Sequence, residues 1–454
     1  MDSFSLLKRK ILGLFVCLIL ISSVSSALGI SDDAPITEVN PDVIDLINQV
    51  NQSLIYNYLK GLVDIGPRFV GSKNCKVAAN YIHDEFTKMG LKSYIDPWRY
   101  SFRKCQNVVA TLEGSDPDSD AVFIICAHYD TITMSPLFFI IPPKNHSVGA
   151  NDDGSGVVAM LSIAKIMSSY NFNHTVKFIA FSGEEVGCFG SHDYVRKAYF
   201  RGENIIGALN IDTIGGATTK EDGSNVDILL KPRSQWIYDF SKEISEKYYN
   251  LIEITPNQKP NMPCDHQSFL DYGYDGVYFG QYEALDIGKI HCPGDNIDKI
   301  NFTYLSKVTK YILAITCELA NKPINLQVRL TYPYEAYIHI LDIPIKKRIN
   351  LNLDRFKYDG STLLFGCCTA RANVTSVDEI EKVIFSIDGD MLDSSKDYPY
   401  ESPIKGFCVP LFGRHTLGVT AHTKTGLTSY DEMDITIFEL RFSLWFPFPI
   451  WQHR

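Results

Sequence analysis

The sequence predicts an α/β protein with a mostly parallel, mixed sheet sandwiched by helices, followed by an all-β sandwich. Up to about residue 320, short apolar runs rich in β-branched and aromatic residues alternate with helical stretches, which is typical of strands buried on both faces. After Asn321-Lys322-Pro323, only short strand-like runs punctuated by turns remain. The length of 454 residues suits two or three domains.

The composition is that of a globular protein with a sizeable core. Hydrophobic residues make up 45% of the chain and charged residues 21%, which excludes intrinsic disorder. Lys and Arg number 43 against 53 for Asp and Glu, a formal net charge of −10, and no basic run interrupts this balance. Nucleic acid is therefore not an expected partner.

The N-terminal segment has the order of a secretory signal. A basic triplet at 8–10 precedes an apolar stretch at 11–21, and small residues follow at 25–27. We predict that residues 1–27 are a signal peptide and that the protein is secreted or lies at the extracellular surface. The alternative is an uncleaved anchor, which the short apolar run disfavours. In an exported chain, the ten cysteines beyond Cys17 permit disulfides, although the sequence does not give their pairing.

The pattern of apolar residues divides the chain into three parts after the signal. Helical spacing over 41–61 and 73–89 predicts two opening helices. We expect strands near Val108, from Ala121, from Thr175, from Ile205, near Val226 and from Gly276, with helices over 155–170, near Tyr194, over 234–249 and over 302–320. The predicted domains are 41–321, the β-sandwich 324–440, and an aromatic tail at 441–454 that packs on its own domain.

Polar residues follow several of the apolar strands. In an open α/β sheet, ligands collect at the carboxyl ends of the strands, so these residues are candidates for chemistry. They are His128 and Asp130 after the run from Ala121, Asp152 and Asp153 at the start of the next helix, Glu184 and Glu185 after the run from Thr175, Asp212 after the run from Ile205, and His291 beyond the run from Gly276.

Each of these residues also has an ordinary structural interpretation. His128 is typical of a buried histidine at a strand end, Asp152 or Asp153 of a helix cap, and Glu184-Glu185 of a solvated loop pair. Together, however, two imidazoles and several carboxylates at one sheet edge would be too costly to bury without counter-ions. A pair of zinc ions, bridged by one carboxylate and one water, accounts for the whole set.

His266, in the run CDHQSF, is a second candidate for the last histidine ligand. We rank it behind His291. We predict instead that His266 and Asp265 contribute to the substrate pocket or hold a metal ligand in place without binding the metal.

The order of the motifs resembles that of co-catalytic two-zinc exopeptidases, a family that includes bacterial leucine aminopeptidases, aminopeptidase Y and glutamate carboxypeptidase. The resemblance covers roughly residues 45–320. The motifs that carry it are H-x-D at 128–130, G-A-N-D-D-G-S-G at 149–156, S-G-E-E at 182–185, N-I-D at 210–212, D-H-x-x-F at 265–269 and I-H-x-x-x-D at 290–295.

The resemblance implies a role for each site residue. His128 and Asp212 would hold one zinc ion, and Glu185 and His291 would hold the other. Asp152 would bridge the two ions.

The resemblance also implies a mechanism. Glu184 would be the general base that takes a proton from the bridging water and returns it to the leaving amine. Asp130 would orient His128 through the second ring nitrogen.

The predicted function is a secreted exopeptidase with two Zn²⁺ per chain, most simply an aminopeptidase that removes N-terminal residues from peptides, with carboxypeptidase activity left open. A single-zinc glutaminyl cyclase is one alternative, which the complete set of five ligands disfavours. A non-catalytic receptor or scaffold domain is another, but such relatives lose ligands or the base. The β-sandwich resembles immunoglobulin-like modules of exported microbial hydrolases, so we expect it to contact cell surfaces or proteins and to fold separately.

Two features depart from the family pattern. Ile290 precedes the last zinc-binding histidine, where many relatives have a Tyr that stabilises the oxyanion. The segment between Asp130 and Asp152 is long and apolar, which predicts a buried loop or, alternatively, a lid or wall of the substrate pocket.

Overall fold

The computed structural model describes residues 39–133, 147–281, 290–335, 337–347, 362–404 and 412–438. The predicted signal peptide, the aromatic tail and most of the apolar segment between Asp130 and Asp152 lie outside these ranges, so what was expected of them stays a prediction. No helix within the described ranges combines the length and apolar character needed to span a membrane.

The first part of the chain is an α/β region. Its helices are α1 (Pro41–Asn48), α2 (Gln52–Val63), α3 (Lys73–Lys88), α4 (Gly154–Met167), α5 (Phe189–Phe200), α6 (Gln235–Lys247), α7 (Tyr249–Ile252), α8 (Asp265–Leu270) and α9 (Phe302–Asn321). Its strands are β1 (Lys92–Tyr100), β2 (Arg103–Leu112), β3 (Val122–His128), β4 (Thr175–Phe181), β5 (Ile205–Ile211), β6 (Asn225–Leu230), β7 (Thr255–Pro260) and β8 (Gly276–Gly280).

The eight strands form one mixed sheet with the order β1-β2-β4-β3-β5-β8-β6-β7. Strands β4, β3, β5 and β8 at its centre are mutually parallel, whereas β1, β2 and β6 join antiparallel. Apolar side chains fill both faces: α1 to α4, α6 and α9 cover one face and α5 and α8 the other. The predicted fold class is confirmed for this region.

The beginning of the α/β region differs from the prediction. Residues 41–61, expected as one helix, form α1 and α2, because the side chain of Asn51 accepts the N–H of Ser53 and starts a second helix. The prediction of a single helix was therefore wrong. The closing helix, expected over 302–320, ends one residue later at Asn321.

The second part of the chain contains only strands among its described residues. They are β9 (Leu326–Tyr332), β10 (Tyr337–Ile340), β11 (Ile343–Lys347), β12 (Thr362–Phe365), β13 (Cys368–Ser376), β14 (Ile380–Ile387), β15 (Asp390–Ser395), β16 (Tyr400–Ile404), β17 (Phe412–Thr423) and β18 (Thr428–Phe438). They form a seven-stranded sheet, β11-β10-β12-β18-β17-β14-β15, and a three-stranded sheet, β16-β13-β9. Both sheets contribute to one buried apolar core, which confirms the all-β class.

The all-β region packs on the α/β region where the parallel strands begin. Arg329 donates to the carbonyl of Ile206, at the start of β5 (3.0 Å), and to that of Gly273, ahead of β8 (3.3 Å). Asn204, just before β5, contacts Thr375 at 3.4 Å. The contact surface therefore lies at the amino ends of the parallel strands.

A partly buried ion cluster joins the two regions. The guanidinium of Arg233 contacts Asp275 (3.0 Å) in the α/β region, and Glu335 (3.3 Å) and Asp431 (3.1 Å) in the all-β region. The expectation that the all-β region folds separately stays a prediction, and this cluster is the contact that separation would break.

The buried cysteines do not form the disulfides that an exported chain permits. Those at positions 75, 105, 126, 264, 317 and 368 are free thiols. Several of them lie beside the polar residues described next.

Candidate metal centre

The parallel strands bring the predicted site residues to one edge of the sheet. His128 ends β3, Glu184 and Glu185 follow β4, and Asp212 follows β5. Asp152 lies on the loop that enters α4. These positions meet because β4, β3 and β5 are neighbours and point the same way.

His291 completes the arrangement from beyond β8. Its backbone φ of +53° lies in the left-handed region, which a residue with a side chain rarely adopts. Such conformations occur mainly where the surrounding structure fixes a functional side chain, and the ring of His291 points to Asp152 and Glu185.

Two groups of three side chains meet here and share Asp152. His128, Asp152 and Asp212 form one group, and Asp152, Glu185 and His291 the other; within each, the ligand atoms lie within 4.8 Å of one another. Oδ1 of Asp152 is 3.1 Å from Nε2 of His128, and Oδ2 is 2.8 Å from Nε2 of His291. One carboxylate thus faces two separate ligand groups.

The donor set fits divalent zinc in each group. Imidazole nitrogens and carboxylate oxygens are the ligands that zinc takes alongside thiolates. Oδ1 of Asp212 is buried without a hydrogen-bond partner and lies 3.7 Å from Nε2 of His128. A buried carboxylate oxygen without a hydrogen-bond partner is costly unless a cation binds it.

The electrostatics of the site also favour cations. Burial alone would lower the pKa of His128, but Asp212 and Glu184 raise it well above the usual value. Burial, and then the charge of Asp152, raises the pKa of Glu185 to about 8. Glu185 therefore tends to keep a proton near neutral pH unless a cation takes its place.

Residues 107–316 match Peptidase family M28. The resemblance that the motifs predict is confirmed over this M28-like segment. A probable zinc metalloprotease of Pyrenophora tritici-repentis is 25% identical over 339 residues, covering 62% of this chain and 77% of that protein. Aminopeptidase YwaD of Bacillus subtilis is 26% identical over 279 residues, covering 59% of this chain and 57% of that protein.

Solved structures show the same fold. The aminopeptidase from Aneurinibacillus sp. strain AM-1 superposes with a TM-score of 0.52 at 16% identity, covering 62% of this chain and 97% of that one. LapB from Legionella pneumophila gives a TM-score of 0.54 at 20% identity, covering 67% of this chain and 81% of that one.

Asp153 accepts hydrogen bonds from three segments that surround the M28-like site. Its Oδ1 accepts the N–H groups of Gly156 (2.8 Å) and Thr213 (3.2 Å), and its Oδ2 accepts that of His128 (3.2 Å). The helix-cap interpretation of the sequence holds for Asp153, which caps α4. A Cβ added at Gly156 would lie 2.5 Å from the Asp153 carboxylate, so glycine is required there.

Asp295 and Arg68 also support the site, although sequence reasoning gave them no role. Asp295 accepts the N–H groups of Asn151 (2.7 Å) and Asp152 (3.1 Å), and so fixes the backbone of the shared ligand. Their only sequence signals were the last position of the I-H-x-x-x-D motif and a Gly-Pro-Arg turn.

The fully buried guanidinium of Arg68 ties two loops of the M28-like segment together. It donates to the carbonyls of Tyr129 (2.6 Å), Val148 (2.5 Å) and Gly149 (3.1 Å). Burial lowers the pKa of Arg68 to about 10. The loop after His128 and the loop before Asp152 are thereby held in one arrangement.

Asp130 and Glu184 lie beside the two ligand groups. The carboxylate of Asp130 is 3.7 Å from Nδ1 of His128, whereas its main-chain carbonyl is 3.2 Å away. The carbonyl is thus the nearer acceptor, and the orienting role of the carboxylate stays a prediction. Oδ1 of Asp130 accepts the N–H of Glu184 at 3.3 Å, and Oε2 of Glu184 lies 3.9 Å from Nε2 of His128.

Asp265 and His266 belong to neither ligand group. Both are fully buried, at the start of α8. Burial raises the pKa of Asp265 to about 7 and lowers that of His266 to about 3, and Nε2 of His266 lies 2.7 Å from Oδ1 of Asn261. Their predicted part in substrate binding stays a prediction. Ile290, also buried, occupies the position at which many relatives have an oxyanion-stabilising Tyr.

Proposed function

We propose that this protein is a secreted, zinc-dependent exopeptidase that removes N-terminal residues from peptides. The observation that supports this most strongly is the carboxylate of Asp152, shared by two groups of zinc-type ligands. We assign His128 and Asp212 to one zinc ion, Glu185 and His291 to the other, and Asp152 to both.

The chemistry follows from this assignment. Bound zinc ions would polarise the scissile carbonyl and acidify a shared water. Glu184 lies beside the ligands without being one, so its carboxylate is free to accept the proton of the attacking water. The same carboxyl group then donates the proton to the leaving amine. Asp130 holds the backbone of Glu184 during both transfers.

The choice of reaction rests on the ligand set and on the relatives. A single-zinc glutaminyl cyclase needs only one metal, and a second complete ligand group would then be unexplained. A receptor or scaffold domain needs neither the ligands nor Glu184. Relatives described as aminopeptidases favour cleavage at the N-terminus over cleavage at the C-terminus.

Localisation and partners are part of the same proposal. The basic triplet, apolar run and small residues within 1–27 support export, with an uncleaved anchor as the alternative. We propose peptides as substrates and a cell surface or another protein as the contact of the all-β region.

Metal analysis tests the proposal first. Purified protein should contain close to two zinc ions per chain, and Asp152→Ala should bind both more weakly and lose activity, because the shared ligand is gone. Lys396→Ala, on the exposed surface of the all-β region, is the control. One tight zinc ion with full turnover of an N-terminal glutamine peptide would favour the cyclase instead.

A second experiment separates the base from the ligands. Glu184→Gln should keep both zinc ions and lower kcat by about a hundredfold or more, because the amide cannot accept a proton. Glu185→Gln should instead weaken the zinc group of His291. A Glu184→Gln protein with near-normal kcat would exclude this mechanism.

A further inference from the structure

A basic cavity lies at the same sheet edge as the candidate metal centre. It has a volume of about 450 Å³ and is lined by Lys76 of α3 and by residues 97–99 and 104–106 of the β1–β2 hairpin. Trp98 and Cys105 within this lining are buried, at 6% and 3% exposure. Because side chains alternate along a strand, Trp98 and Cys105 face into the protein, whereas their neighbours Arg99 and Lys104 are exposed.

Three exposed cations line the cavity, namely Lys76, Arg99 and Lys104. Arg99 and Lys104 stand directly opposite each other in the β1–β2 pairing, where like charges are destabilising. Within the described ranges, no carboxylate forms an ion pair with Arg99, Lys104 or Lys76. In a chain of net charge −10, such a cluster indicates an anionic ligand.

The lining of the cavity is bonded to the segment that carries Glu184. Nε1 of Trp98 donates to Oγ of Ser182 (3.1 Å), and that hydroxyl donates to the carbonyl of Gln106 (2.7 Å). A Cβ added at Gly183 would lie 2.5 Å from Cη2 of Trp98, so the indole ring rests against the residue before Glu184. The buried indole of Trp98 thus joins the hairpin that lines the cavity to the loop that carries Glu184.

The distance between cavity and metal centre suits a short peptide. Strands β1, β2, β4 and β3 are consecutive in the sheet, and neighbouring strands lie about 4.8 Å apart, so β1 is roughly 14 Å from β3. An extended peptide advances about 3.3 Å per residue, and roughly four residues therefore cover this distance.

We propose that the cavity is a carboxylate-binding subsite for the far end of a peptide whose N-terminus lies at the metal centre. This inference rests on the proposed function and deepens it: short peptides with a carboxylate about four residues from the N-terminus are the preferred substrates. The carboxylate belongs either to the C-terminus or to an acidic side chain.

Matched peptides test the subsite. A tetrapeptide with a free C-terminus should have a kcat/KM about fivefold to tenfold above that of its C-terminal amide at low salt, and the ratio should fall towards one at high salt. An amidated tetrapeptide ending in Asp distinguishes the two sources of the carboxylate: it regains the preference only if a side chain is accepted.

The variant Arg99→Gln/Lys104→Gln should abolish the acid-to-amide preference. It should also fold, because it removes a like-charge pair. Lys396→Gln, which changes the charge of a distant exposed residue, should leave the ratio unchanged. A wild-type ratio near one, or a ratio that survives in the double variant, overturns the proposal.

A leucine nitroanilide, which has no carboxylate, separates failure of the subsite from failure of the proposed function. If it is hydrolysed while the acid-to-amide ratio is one, the subsite is wrong and the enzyme stands. If it is not hydrolysed, the affinities of the two tetrapeptides are compared by tryptophan fluorescence. The free acid should bind more tightly than the amide, and equal affinities would overturn the subsite.

The competing occupant is a membrane. Phe102 is 96% exposed at the tip of the basic hairpin, a combination also suited to anionic lipid. Sedimentation with phosphatidylserine vesicles that is lost in Arg99→Gln/Lys104→Gln, together with an acid-to-amide ratio of one, would assign the hairpin to lipid and exclude the peptide subsite.

Discussion

Cys264 lies outside the two ligand groups and donates a hydrogen bond to one of their carboxylates. Its Sγ donates to Oδ2 of Asp212 across 3.2 Å, and Nδ2 of Asn210 donates to that sulfur at 3.2 Å. Cys126 in turn donates to Oδ1 of Asn210 at 3.5 Å. This buried chain fixes one oxygen of Asp212 and leaves Oδ1 directed at His128, so Cys264 is a positioning residue.

Cys264→Ala should therefore weaken zinc binding by the His128 group about tenfold to a hundredfold, the usual cost of removing a ligand's hydrogen-bond partner. Cys264→Ser should restore the affinity, because a hydroxyl donates the same bond. Competition with a chromophoric chelator measures both. Cys368→Ala, buried in the all-β region, is the control, and unchanged affinity in Cys264→Ala would remove this role.

At the scale of residues, the candidate metal ligands could be predicted from the sequence, whereas the residues that hold those ligands in place could not. His128, Glu184 and Asp212 follow recognisable strands, so their meeting at one edge followed from the order of the motifs. Arg68 and Asp295 act through main-chain groups of loops 61 to 144 positions away, and nothing in their own neighbourhoods reveals that contact.

At the scale of elements, the loops around the centre depend on Arg68. Its guanidinium donates to three buried or partly buried carbonyls that belong to two different loops. Leaving a buried carbonyl without a donor costs about 1–3 kcal/mol. Loss of the Arg68 side chain should therefore destabilise the conformation of both loops.

Arg68→Met should lower the free energy of unfolding by about 2 kcal/mol or more, since the carbonyls of Tyr129 and Val148 lose their guanidinium donor while that of Gly149 keeps only the N–H of Gly154. Urea unfolding of the metal-free protein measures this without a contribution from zinc. Arg196→Met, at a largely exposed ion pair on α5, should change stability by less than about 1 kcal/mol. A similarly small effect at Arg68 would mean that the loops are held by other contacts.

Helices and central strands were predictable from local pattern, whereas edges and breaks were not. The apolar spacing of α9 extends along the whole helix, and its prediction was accurate to one residue. Strand β1 was missed because it is an edge strand containing Pro97, and its pairing is supplied by β2 rather than by its own sequence. The break at Asn51 depends on one capping side chain.

At the scale of the whole molecule, Arg233 connects the two regions. It contacts carboxylates on both sides of the contact surface, and Asp431 lies 198 positions away in sequence. The two fold classes could be predicted from hydrophobic pattern, but this contact could not, because each of its residues stands in an ordinary polar stretch.

Arg233→Met should destabilise the protein by about 3 kcal/mol, because the partly buried carboxylates of Asp275, Glu335 and Asp431 would lose the guanidinium that they share. The nearby Arg329 would still attract Asp275 and Asp431. Zinc content should not change, since the cluster lies at the opposite end of the strands. Arg371→Met, at an exposed ion pair with Glu401, is the control for urea unfolding. Equal stability of the two variants would show that the regions are joined by other contacts.

The position of the contact surface also decides how the protein would behave when it is held in place. The all-β region covers the amino ends of the parallel strands, and His128, Glu185 and Asp212 lie at their carboxyl ends. Protein coupled to a bead through an exposed side chain of the all-β region would turn its metal centre away from the bead. Long peptide chains could then reach the metal centre without touching the bead.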